Sequence, residues 1–184
     1  NIRFMNIYNH VHEVQKLSLV ENFKEILDQL SNVESKQELI NLTKTFFKQA
    51  FKIPMGRTDV YLRSENEITH TKKITPSYIE QFMKQEDNTC FIDNIYKKRI
   101  LIYDELEFSQ YYHHEKTSEI LLNFMKKINA DLFVPIFDHH TIIGYIYVER
   151  DARINELYSD LERDEIVVFA SFAANIINLL QNNK

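Results

Sequence analysis

Two consecutive runs, Asp131 to Phe137 and Thr141 to Val148, are apolar on both of their alternating faces, and only Asp138-His139-His140 separates them. A tight connection of that length joins antiparallel neighbours. A strand apolar on both sides cannot leave either side in water, so helices must cover the sheet above and below. That requirement excludes an open sheet with one wet face and a simple helical bundle. The remaining elements have to supply the two covers.

The flanking segments carry the period of helices. Leu19, Phe23, Ile26, Leu27 and Leu30 share one face, and Leu39, Ile40, Thr43, Phe46, Phe47, Ala50 and Phe51 share another. Ser35-Lys36-Gln37-Glu38 reads as a capping box opening that second helix, and Pro54 and Gly56 end it. The period then drops to two. Thr58 to Arg63 reads as a strand, Ser64 to Glu67 as a polar turn and Ile68 to Ile74 as a partner strand. Thr75-Pro76 opens a further helix through Ile79, Phe82 and Met83. Residues 87–98 show no clear period. Arg99 to Tyr103 reads as a short apolar strand, 105–114 as a loop or short helix rich in aromatics and His, and Thr117 to Ile128 as a helix. Ser159-Asp160-Leu161-Glu162 is a second capping box, and the helix behind it runs from 160 to about 182. Together these elements predict an α+β fold: a central antiparallel sheet of five or six strands, helices on both faces, and long N- and C-terminal helices.

Composition narrows the function classes. The chain has 184 residues and a formal net charge of −5, with no long basic stripe, which argues against a nucleic-acid surface. There is one cysteine, Cys90, so no disulfide forms within the chain, which fits a cytoplasmic location. No uninterrupted apolar run reaches the ~18–20 residues of a membrane span. The chain opens on Asn1 rather than Met, which reads as a piece of a longer protein. Residues 1–18, with Ile7, Val11, Val14 and Leu17 at near-heptad spacing, read as a helical segment that links or dimerises, ahead of a domain covering 19–184.

The wording of the last third is more specific. Ala130-Asp131-Leu132-Phe133-Val134-Pro135-Ile136-Phe137, then Ile143-Gly144-Tyr145-Ile146-Tyr147-Val148-Glu149, resembles the central hairpin of GAF domains. That family has an apolar strand ending in Val-Pro-Leu or Val-Pro-Ile, a short turn, then Ile-Gly and a second apolar strand. Tyr158-Ser159-Asp160, Arg163-Asp164-Glu165 and Phe169-Ala170-Ser171-Phe172-Ala173-Ala174 resemble the acidic approach and Ala-rich helix that follow it. Arg99 to Asp104 resembles the strand-then-Asp segment before the family's middle loop. The resemblance covers roughly residues 20–182 and is tightest over 130–180. It implies a non-catalytic sensory domain that binds a small molecule, dimerises, or both, and so regulates an attached signalling output.

Site candidates follow from that frame. A pocket between the sheet and the 88–115 segment is expected to draw on Tyr61, Cys90, Phe91, Tyr103, Asp104, Phe108, His113, His114, Phe133, Tyr145 and Tyr147. Tyr145 and Tyr147 share one strand face and Ile146 and Val148 the other; which of them holds the pocket is open at this level. A homodimer is expected through the terminal helices, with Ile166, Phe169, Ala173, Ile176, Ile177 and Leu180 as the contact residues, because the apolar face of that helix is wider than one sheet contact needs. No catalytic residue and no metal site is assigned, and the ligand or cofactor stays unnamed. Adjacent histidines point apart, so His113-His114 and His139-His140 do not chelate alone. One thiol cannot supply the resolving partner that a GAF-type sulfoxide reductase uses. A metal- or redox-dependent enzyme built on the His clusters and a ligand-free dimerisation scaffold are the alternatives.

Overall fold

The computed structural model describes residues 21–62, 89–153 and 156–182, with backbone only for 89–92. The expected helix over 1–18, the turn at 64–67, the strand Ile68 to Ile74 and the helix behind Thr75-Pro76 lie outside the described residues.

The described chain begins in a helix over 21–31 (α1) and continues in α2, Lys36–Phe51. The Ser35 hydroxyl caps α2 by accepting from the Glu38 amide at 3.2 Å. The return contact differs from the expected box: the Glu38 carboxylate accepts from the amide of Glu34, one residue earlier, at 2.9 Å. A left-handed Lys52 (φ 57°) stops the helix before Pro54. A single 3-10 turn, Met55–Arg57, leads into β1, Thr58–Leu62. Three helices follow the next described break: α3 (Thr89–Lys98), α4 (Tyr103–His113) and α5 (Lys116–Ile128), with the two-residue β2, Leu101–Ile102, between the first two. The hairpin of β3 (Ala130–Asp138) and β4 (Thr141–Glu149) comes next, and α6 (Asp160–Asn182) ends the described chain. Its N-terminal box closes as the sequence predicts. The Glu162 amide donates to Ser159 Oγ at 3.2 Å, and the Ser159 amide donates to Glu162 Oε2 at 2.9 Å.

Among the described residues the sheet has four strands rather than five or six, all antiparallel, in the order β1-β4-β3-β2. Gly144 allows the close approach of β1 that its position on the strand implies: a Cβ there would stand 2.6 Å from the Tyr61 carbonyl oxygen. Pro135 lies beyond the reach of β2, which pairs only with Leu132 and Phe133, so its missing donor falls on the stretch of β3 that β2 leaves unpaired. Register shifts interrupt the hairpin between Ala130 and Leu132 and between Ile136 and Phe137. The strand expected over Arg99 to Tyr103 is shorter, because Arg99 is left-handed (φ 63°) and Tyr103 already begins α4.

Both faces of the sheet are covered. On one face Val60, Leu62, Leu132, Val134, Ile136, Ile146 and Val148 pack beneath α1, α2 and α6. Phe46 is the hub of that core, stacked on Phe169 at 4.7 Å and edge-on to Phe51 at 5.1 Å. Each such ring removed from water contributes roughly 2–3 kcal/mol. On the other face Phe133, Tyr145 and Tyr147 pack with Leu121, Phe124, Met125 and Ile128 of α5, Leu106 of α4 and Ile95 of α3.

Candidate functional site

The alternation along β4 sorts the aromatics. Tyr145 and Tyr147 point away from the terminal helices, so the face carrying the expected pocket residues is the one covered by α3, α4 and α5. Of the residues picked from sequence, the fold brings Tyr61, Phe133, Tyr145 and Tyr147 together there. The Tyr145 ring stacks on Tyr61 at 5.1 Å and on Phe133 at 5.4 Å, and Phe124 closes edge-on against Phe133 at 5.1 Å. The register β1–β4 places Asp59 directly opposite Tyr147, and Asp59 is only 7% exposed. Burial first, and then the facing Asp59 carboxylate, push the Tyr147 phenol well above its ordinary range, so it stays neutral. Among the described residues Asp59 Oδ2 finds no hydrogen-bond partner. Sequence reading missed Asp59, because a strand of Thr-Asp-Val-Tyr-Leu does not reveal which cross-strand residue its acid will face.

Several other candidates go elsewhere. Phe108 is 59% exposed on the outer side of α4, and His113 and His114 are exposed at its C-terminal end, His114 in the left-handed conformation that stops the helix (φ 51°). They lie on the surface rather than in a pocket, since α4 is a full helix whose buried residues are only Tyr103 and Leu106. The side chains of Cys90 and Phe91 are outside the described residues. Among the described residues no three His, Cys, Asp or Glu side chains are grouped to hold a metal ion.

Tyr103 is buried in the same cluster as Phe133, Tyr145 and Tyr147, and with Asp104 it also contributes to a second site at the end of the sheet where β3 begins and β4 finishes. The interruption between Ala130 and Leu132 leaves Asp131 outside the ladder, and Asp131 Oδ2 accepts the Asp151 amide at 2.8 Å. Arg150 lies 3.1 Å from Asp131 Oδ1 and 3.9 Å from Asp104, with its guanidinium 3.3 Å over the Tyr103 ring. Burial raises the Asp131 carboxyl above its ordinary value against the opposing pull of Arg150. Arg153 grips Glu162 of α6 at 2.8 Å and Glu156 at 3.1 Å. Asp104, Asp131, Asp151 and Glu156 with Arg150, Arg153 and Leu157 line a cleft of about 560 Å³. The Asp and Arg residues here were visible in the sequence, but nothing local announced that they converge.

On α6 the expected dimer residues divide. Ile166, Phe169, Ala173 and Ile177 are buried in the protomer's own core against the sheet, and Ile176 and Leu180 are half-buried. The side left to solvent carries Val168, Phe172 and Leu179, with Phe172 45% and Leu179 58% exposed. Among the described residues α6 is the one helix long and apolar enough to cross a membrane by length and composition, and only one side of it is taken up by packing on the sheet.

Comparison with family models and with curated proteins yields no match. Comparison with solved structures does. The native GAF domain of the potassium sensor histidine kinase KdpD from Escherichia coli superposes with a TM-score of 0.54 over 89% of this chain and 96% of that one, at 14% identity. The fold is therefore GAF-like: an α+β domain with an antiparallel sheet covered on both sides.

Proposed function

We propose that this chain is a non-catalytic sensory domain of a cytoplasmic signalling protein, one that pairs with a second copy through α6 and binds a small molecule on the face covered by α3 to α5. The observation that carries the reading is the solvent side of α6. Val168, Phe172, Asn175 and Leu179 follow one another at intervals of four, three and four, the seam spacing of a two-helix contact. Asn175 in that seam would fix the register of the pair, since a polar residue there tolerates only one alignment. The GAF-like fold supports a regulatory rather than catalytic role by analogy of architecture. Aromatic faces and the Asp59 carboxylate on the other side of the sheet supply the surface for an organic ligand.

Sedimentation velocity tests the pairing. The intact domain is expected to be a dimer, and Phe172→Glu with Leu179→Glu is expected to give a folded monomer with an unchanged circular dichroism spectrum. A monomeric unmodified domain, or a double variant that stays dimeric, sinks the α6 reading. Native mass spectrometry of the domain tests the ligand: an added defined mass supports it. The stack of Tyr61, Tyr145 and Phe133 favours a second reading, a scaffold that dimerises without a ligand, and persistent absence of any added mass with every small-molecule pool tried selects it.

A further inference from the structure

The solvent side of α4 holds three large rings in mutual contact. Phe108 is 59%, Tyr111 72% and Tyr112 61% exposed; the rings of Phe108 and Tyr112 are 4.4 Å apart and those of Tyr111 and Tyr112 4.9 Å. With 150–250 Å² on each such side chain, the cluster shows on the order of 400 Å² of largely apolar surface, the size at which an exposed patch on a soluble protein marks a contact site. The α-helical spacing puts Asp104 and Glu105 on the same side as the rings, Asp104 3.9 Å from Arg150 and Glu105 3.2 Å from Arg163, and from Tyr103 to Glu115 the chain has four carboxylates and no Lys or Arg. Asp104 is also a wall of the cleft at the end of the sheet, where four carboxylates stand against two arginines, and Leu157 beside it is 75% exposed. Rings and cleft therefore meet at Asp104, one helical turn before Phe108, with the excess carboxylates of the cleft beside the apolar rings.

We propose that this surface docks a basic, apolar-bearing segment of another protein, with its aliphatic and Arg side chains on the α4 rings and a further cation in the cleft. The charge selects among occupants. A second copy presented through the same face would set carboxylates against carboxylates, and anionic lipid or nucleic acid would meet the same repulsion. A guanidinium, by contrast, gains from the ring faces and from the acidic rim together. The area is well below the ~800 Å² per partner of a stable folded interface, so the occupant is a short segment bound weakly and reversibly. Neither the α6 pairing nor the sheet-face ligand is needed for this docking.

The test uses the intact domain and a fluorescein-labelled amphipathic helical peptide of Leu, Ala and Arg, followed by anisotropy. A peptide with every Arg replaced by Glu is the control. Binding of the Arg peptide is expected, weakening at least tenfold between 50 mM and 500 mM salt, with no binding of the Glu peptide. Phe108→Ala, Tyr111→Ala and Tyr112→Ala together are expected to weaken it at least tenfold with an unchanged melting temperature, and Asp151→Asn to weaken it severalfold. Amide shift mapping on the unmodified domain is independent of how the variants fold, and is expected to show changes confined to 104–115 and 150–157. Equal binding of the two peptides, binding indifferent to the triple substitution, shifts that map elsewhere, or a dimer that the triple substitution dissociates would each overturn the proposal.

Discussion

Glu165 offers a sharp test of how the first turns of α6 are held. The residue is 5% exposed and its Oε1 has no hydrogen-bond partner among the described residues. Burial, reinforced by the neighbouring Glu162, pushes its carboxyl up from 4.5 to about 7. The folded protein thus keeps a proton that the unfolded chain releases above about pH 4.5. Between the unfolded and the folded values the folded state binds more protons, so this group's contribution to stability falls as pH rises, and the loss is complete above about 7. At ~1.4 kcal/mol for each pH unit of difference, the ceiling is about 3 kcal/mol. Arg153 neutralises part of Glu162, which brings the expected cost to about 1–3 kcal/mol at pH 8. Glu165→Gln removes the titration and keeps the shape. Urea unfolding of both proteins at pH 4.5 and pH 8 is the assay. The variant is expected to be more stable by about 1–3 kcal/mol at pH 8 and to differ by less than about 0.5 kcal/mol at pH 4.5. Asp131, also raised by burial, gives both proteins a residual slope of the same sign, so the difference between them isolates Glu165. A difference independent of pH, or a variant less stable at pH 8, refutes the reasoning.

Three further substitutions probe other contacts. Gly144→Ala drives a methyl to 2.6 Å from the Tyr61 carbonyl and should destabilise the domain by about 1–3 kcal/mol in thermal unfolding, with β1 amides exchanging faster; a neutral result would mean the edge strand shifts freely. Tyr147→Phe withdraws the hydroxyl that faces the buried Asp59 carboxylate and should cost about 1–3 kcal/mol by urea titration, while Asp59→Asn in the same background recovers part of the loss. Ser159→Ala removes one half of the α6 box and should cost roughly 0.5–2 kcal/mol, an effect that vanishes if the Glu162 contact to the Ser159 amide alone holds the turn.

Elements whose signal is local were legible in the sequence. The β3–β4 hairpin announces itself by apolar runs on either side of three polar residues, and both Ser-x-x-Glu starts mark real helix ends. The middle of the chain was harder for a physical reason. In α4 exposed Phe108, Tyr111 and Tyr112 blur the apolar stripe, so the sequence reads equally as a loop or as the short helix that forms. The terminal helix misleads in the opposite direction. Its apolar width was visible, but only the sheet decides which side it claims, and it claims Ile166, Phe169, Ala173 and Ile177, leaving Val168, Phe172 and Leu179 outward. Asp59 against Tyr147, and Arg150 above Tyr103, are products of register and chain return across tens of residues, where no local pattern reaches.

The 23 residues of α6 form a single unbroken rod of about 34 Å, anchored on β3 along one side and tied at its start by Arg153 to Glu162 and by Arg163 to Glu105 of α4. Over that whole length, a tilt of about 5° about the N-terminal end would carry the far end through about 3 Å, half the pitch of a helical turn. The Arg163–Glu105 bridge joins the first turns of that rod to the helix that bears the exposed rings, so a displacement of α4 would have a direct contact through which to reach α6.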